Sequence, residues 1–186
     1  MPWPTREQAE ELLHEWTKNR NLRKHAYAVE AAMRAYAGKL GGDAEQWAVV
    51  GLLHDFDYEK HPDLETHPWA GAQYLREQGW AEELAQAVLA HAEHTGVERA
   101  TMLQKAIFAV DELTGLIVAV ALVRPSKKLA DVTVESVMKK WDEKRFAAGV
   151  NRELVEQGAR ELGVPLEEHV EAVLDAMKGI ADRLGL

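Results

Sequence analysis

A chain of 186 residues, 47% of them hydrophobic, is long enough to bury one sizeable core and falls within the size of a single domain. It contains no cysteine, which excludes a disulfide framework, a thiolate nucleophile and a thiolate-bound zinc, so any metal must sit on histidine and carboxylate. A net charge of −9 disfavours a protein that neutralises phosphates along extended nucleic acid, whereas a small anionic substrate needs only a local pocket.

The opening MPWPTREQAEELL carries no apolar signal core, and no run approaches the roughly 20 apolar residues of a membrane span, so a soluble, cytoplasmic protein without a membrane partner is expected. Thr5 with Gln8 three residues later has capping-box spacing and predicts a first helix over 5–19. Leu22, Ala26, Val29, Met33, Tyr36 and Leu40 recur at helical spacing, predicting a second helix over 21–40 that Gly41-Gly42 ends. Asp43 with Gln46 opens a third, largely buried helix, WAVVGLLHD, ending near His54 and Asp55. FDYEKHPDLE reads as loop. Thr66 and Pro68 introduce a fourth helix stopped by Gly79, and AEELAQAVLAHAEH gives a fifth. Thr101 and Gln104 open a sixth that runs until Pro125. Three more follow at 132–142, 151–162 and 165–183, with VTVESV the one stretch able to compete as a strand. The expected fold is all-α: a single domain over 1–186, with a core at about 20–125 and a helical extension at 126–186.

The informative residues are polar ones on apolar faces. His25 shares the face of Leu22 and Val29, His91 follows Leu84 and Val88, and Asp111 lies on the stripe of Leu103, Ile107 and Val118. A carboxylate there is costly to desolvate unless it is paired or bound to a cation. Either histidine alone is equally well explained as a core imidazole bonded to a carbonyl, and Asp111 as a buried ion-pair partner. Several such groups on separate helices, with His54-Asp55 at the end of another, are better explained by one shared metal.

In order and context, His25, LLHD with His54-Asp55, and Asp111 downstream resemble the HD superfamily of metal-dependent phosphohydrolases. THPWAGAQYL looks like the HP-x-x-G-A segment of two-metal members, and DELTGLIVAVALVRPSKK looks like a small bacterial subgroup of HD hydrolases; the resemblance covers residues 20–120. It implies one or two divalent ions (Mn, Mg, Fe, Co, Ni or Zn), with His25, His54, Asp55 and Asp111 holding the first. Asp55, the implied catalytic residue, would bridge to a second on His67 and His91. His94 rivals His91, whose helical phase is the better match. Phe56-Asp57-Tyr58 stands where such members often have Ile-Gly, a departure that touches specificity and the second metal.

The implied activity is hydrolysis, through metal-activated water, of a small phosphorylated molecule, a nucleotide among the candidates, by a protein that could also form a homodimer. The alternative is a non-catalytic metal- or nucleotide-binding helical regulatory module. Arg124, Lys127 and Lys128, with Lys139, Lys140, Lys144 and Arg145, concentrate positive charge after the sixth helix. Arg124, Lys127, Lys128 and His94 are therefore candidate substrate contacts, against the plainer reading of the basic run as a solvated face.

Overall fold

In the computed structural model, which describes residues 1–143 and 145–186, ten α-helices and two 3-10 turns account for all regular structure among the described residues. Lys144 lies outside the described residues. The helices are α1 (Arg6–Trp16), α2 (Arg20–Leu40), α3 (Ala44–Leu53), α4 (Trp69–Glu77), α5 (Glu82–Ala90), α6 (Met102–Leu122), α7 (Val134–Lys139), α8 (Arg152–Leu162), α9 (Leu166–Lys178) and α10 (Ala181–Leu184).

Caps follow the sequence closely. Thr5 and Thr101 each close a capping box with the glutamine three residues on, and Gly41, at φ +72°, ends α2 in the left-handed conformation that glycine adopts without steric cost. VTVESV contributes to α7, because Thr133 caps it and Ser136 reciprocates. Four spans are shorter than expected. The first helix, expected over 5–19, covers 6–16. The helix expected over 132–142 covers only 134–139, the one expected over 165–183 breaks at Gly179 into α9 and α10, and the fifth ends at Ala90, with a 3-10 turn at Glu93–Thr95.

The two 21-residue helices, α2 and α6, form the centre. α2 packs against α3, α6 and α9, while α6 also meets α5 and α8. Met33, Leu52, Leu84, Ile107, Leu113 and Ile117 are fully buried in the core that results, and burial of such apolar surface is the main source of stability. No helix among the described residues is long and apolar enough to cross a membrane.

Two features fix the helices that carry polar side chains. At Gly51 in α3, an added Cβ would stand 2.7 Å from Glu30 Cα and 2.8 Å from Glu30 N, both backbone atoms of α2. Gly51→Ala must therefore push the two helices apart, and we expect a loss of about 2–3 kcal/mol in denaturant unfolding. Full retention of stability would contradict this close approach.

The second feature is His169 of α9, which is fully buried. Its Nε2–H donates to the Ala109 carbonyl at 2.8 Å, while Nδ1 accepts the Tyr36 hydroxyl at 2.5 Å, tying α9 to α6 and α2. Burial pushes this imidazole down to about 4, against a usual 6.5, with the bond to Ala109 partly opposing the shift. The unfolded chain therefore takes up a proton below pH 6.5 that the folded chain refuses until about pH 4. Stability present at neutral pH is lost across that window, by about 3 kcal/mol. In His169→Phe this part of the pH slope should vanish, although the variant starts from lower stability with Tyr36 unpaired; an unchanged slope would refute the assignment. His14 of α1 is half-buried, with Nε2 2.6 Å from the Tyr27 hydroxyl.

Candidate metal centre

Five segments of the chain converge on one point. His25 comes from α2, His54 and Asp55 from the end of α3, His67 from the residues before α4, His91 from the end of α5 and Asp111 from the middle of α6. His25 Nε2 lies 2.9 Å from Asp111 Oδ1, 3.1 Å from His54 Nε2 and 3.9 Å from Asp55 Oδ2. His54 Nε2 lies 3.5 Å from Asp111 Oδ1 and 3.6 Å from Asp55 Oδ2. On the other side of the same carboxylate, Asp55 Oδ1 lies 3.2 Å from both His67 Nε2 and His91 Nε2. Asp55 thus faces two nitrogen sets, one with each oxygen.

The tautomers follow from the outer bonds. The Nδ1–H of His54 donates to the Gly51 carbonyl at 2.8 Å, that of His91 to the Val88 carbonyl at 2.5 Å, and that of His67 to Asp57 Oδ1 at 2.8 Å. His25 Nδ1–H donates to Thr114 Oγ1 at 3.2 Å, whose own proton goes to the Asp111 carbonyl. Each ring therefore turns its Nε2 to the centre, the arrangement by which outer bonds orient metal-binding imidazoles.

Lone pairs facing lone pairs and carboxylates need positive charge between them. Burial opposes a charge on His54, yet Asp55 and Asp111 push it up to about 9; His67 likewise rises to about 9, against burial, through Asp55 and Asp57. Burial would raise Asp55 and Asp111, but the imidazoles hold both carboxyls well below the usual carboxylate range. The same field that draws protons would draw a divalent cation, and separations near 3 Å suit neighbouring donors bound about 2.1 Å from one ion. Two donor groups, His25-His54-Asp55 and Asp55-His67-His91, have the composition and closeness to hold one.

Three residues that matter here escaped the sequence reading. Asp57, fully buried, fixes His67 and accepts Gly71 N–H at 2.8 Å through its other oxygen. A Cβ at Gly71 would sit 2.9 Å from Asp57 Cγ, so glycine permits the approach of α4. Thr114, one helical turn beyond Asp111, orients His25. Glu112 lies beside Asp111 in the recess in front of the cluster and accepts Asn151 N–H at 3.2 Å; burial and the Asp111 charge push its carboxyl up to about 6. An acid two residues beyond HD, and a hydroxyl three beyond a core aspartate, were the available signals.

The recess has a volume of about 500 Å³, with Asp55, His67, His91 and Asp111 at its base. His94 lines it too, and its Nε2–H donates to the His67 carbonyl at 2.9 Å. His91 and His94 thus part company, the first facing Asp55 and the second the open space. Arg124, Lys127 and Lys128 are not brought to the recess: they follow Leu122, which is already about 16 Å along the α6 axis from Asp111.

The family model described as HD domain matches residues 22–180. No curated protein and no solved structure matches the chain.

Proposed function

The chain belongs to the HD domain family, and from that premise we propose that it is a metal-dependent phosphohydrolase acting on a small phosphorylated substrate, a nucleotide among the candidates. The observation that carries this reading is the set of four imidazoles whose Nδ1–H groups are all engaged outward, leaving four Nε2 acceptors around Asp55 and Asp111. Positive charge must sit at the centre to balance that set, and a divalent ion would take the place of the protons that the carboxylates draw onto His54 and His67.

In this reading His25, His54, Asp55 and Asp111 hold one cation, and Asp55, His67 and His91 hold a second. Bound divalent ions would promote ionisation of water near neutral pH and offset charge on phosphoryl oxygens. The chain's own work is positional. Gly51, Val88, Asp57 and Thr114 lock the rings, and the buried sides of His54 and His91 keep bulk water from behind the centre.

Elemental analysis of protein purified without chelator, followed by a phosphate-release screen with Mn²⁺, Mg²⁺, Fe²⁺ and Co²⁺, tests the proposal. At least one divalent ion per chain and release abolished by a chelator are expected. Release that persists in metal-free protein would overturn it, and tight metal binding with no release from any phosphoester would favour a binding module.

A further inference from the structure

Resting on the reading of the cluster as a phosphohydrolase centre, we propose that the recess selects phosphate monoesters whose alcohol part carries no further phosphate and offers a hydrogen-bond donor to Glu112, and that it discriminates against di- and triphosphates. Glu112 is the specificity-determining residue in this proposal.

The argument starts from charge. Beyond Asp55 and Asp111, two more carboxylates, Glu93 and Glu112, line the recess, and no Lys or Arg among the described residues does. Arg99 and Lys105 line a neighbouring hollow that shares Glu93; there Arg99 is held by Glu161 at 2.8 Å and by Glu93 at 3.0 Å. Glu93 thereby shares one guanidinium with Glu161 and is partly compensated. Glu112 is not: its one protein partner among the described residues is the uncharged Asn151 N–H. A carboxylate has about four acceptor positions, so Glu112 retains capacity for donors from a ligand.

Two divalent ions would exceed the charge of Asp55 and Asp111 by two, a surplus that Asp57 behind His67 lowers to one, so the dianion of a single monoester would already meet it. Each further phosphoryl group brings negative charge into a space that already contains the Glu112 carboxylate. In a partly desolvated recess, charges several ångströms apart repel strongly enough to cost about tenfold or more in binding. Hydroxyl or ammonium groups on the alcohol would instead be drawn to Glu112. The rest of the wall suits an uncharged body: Phe108 and Leu154 line it, with exposed Tyr58 and Leu64 also on the recess.

Adenosine mono-, di- and triphosphate test this with the body held constant, with p-nitrophenyl phosphate as the control for the underlying hydrolase reading. We expect kcat/KM to fall about tenfold or more per added phosphate. Calorimetric dissociation constants for nonhydrolysable methylene analogues of the mono- and triphosphate should follow the same order, a readout independent of turnover. Glu112→Gln should narrow the mono-to-triphosphate ratio about tenfold, and Glu112→Lys should reverse the preference, with helicity unchanged by circular dichroism. A merely structural role for Glu112 would lower all substrates alike. Hydrolysis of p-nitrophenyl phosphate together with equal or better use of the triphosphate would overturn the charge selection and leave the hydrolase reading standing. A ratio unmoved by Glu112→Gln would overturn the role of this residue. No metal uptake and no release from any substrate would overturn the hydrolase reading and this inference with it.

Discussion

Asp55→Ala is expected to remove metal and turnover together while leaving the helices in place. Asp55 is the one residue with an oxygen toward each nitrogen set, Oδ2 near His25 and His54 and Oδ1 near His67 and His91. Without it the first position keeps one carboxylate and the second keeps none, and neutral imidazoles alone make a poor site for a hard dication. We therefore expect metal content to drop below stoichiometry and kcat/KM to fall by at least about 10³-fold, roughly 4 kcal/mol of transition-state stabilisation. The fold should survive, because Asp55 lies beyond the last residue of α3 and helix packing rests on side chains such as Leu52, Leu53 and Ile107. Elemental analysis, phosphate release and circular dichroism on one preparation decide the matter. Unchanged metal content with full turnover would show that the centre lies elsewhere, and a collapsed spectrum would show that the cluster holds the fold together.

What the sequence could convey was set by the range of each interaction. Helix starts are local: Thr5 with Gln8, Asp43 and Thr101 with Gln104 all cap where the spacing placed them. Helix phase is nearly as local, and it put His25, His91 and Asp111 on faces that do turn inward. The ends were harder. Gly179 could have been one weak residue in a long helix, and only packing of the last residues near α2 decides that the chain turns there. Asp57 was read as a departure from a familiar pattern because its partner, His67, is ten residues away across a loop. The basic run after α6 looked like a phosphate contact in one dimension, but the length of α6 carries it away from the recess. Glu112 was hidden for the opposite reason: beside Asp111 it reads as an ordinary exposed glutamate until the start of α8 is folded against it.

The second metal position yields the last prediction. Its donors, Asp55 Oδ1, His67 Nε2 and His91 Nε2, include a single carboxylate shared with the first position, whereas the first also has Asp111. Fewer anionic donors mean weaker attraction for a dication, so titration of metal-free protein should show two unequal steps, the weaker belonging to His67 and His91. The double variant His67→Ala with His91→Ala should abolish that step alone. Asp57 gives a finer test, since it touches no site atom directly and acts by fixing the ring of His67 at 2.8 Å. Asp57→Asn keeps the size of the side chain but weakens its grip on Nδ1–H, and loss of such an outer partner commonly costs about 10–100-fold in metal affinity. The weaker step should move by that amount and the stronger should stay within about twofold, because His25 and His54 are oriented by Thr114 and Gly51 instead. A single step of unit stoichiometry in the unmodified protein, with one metal peak in anomalous scattering, would reject the two-metal reading and leave His67 and His91 as groups that contact substrate or transfer protons.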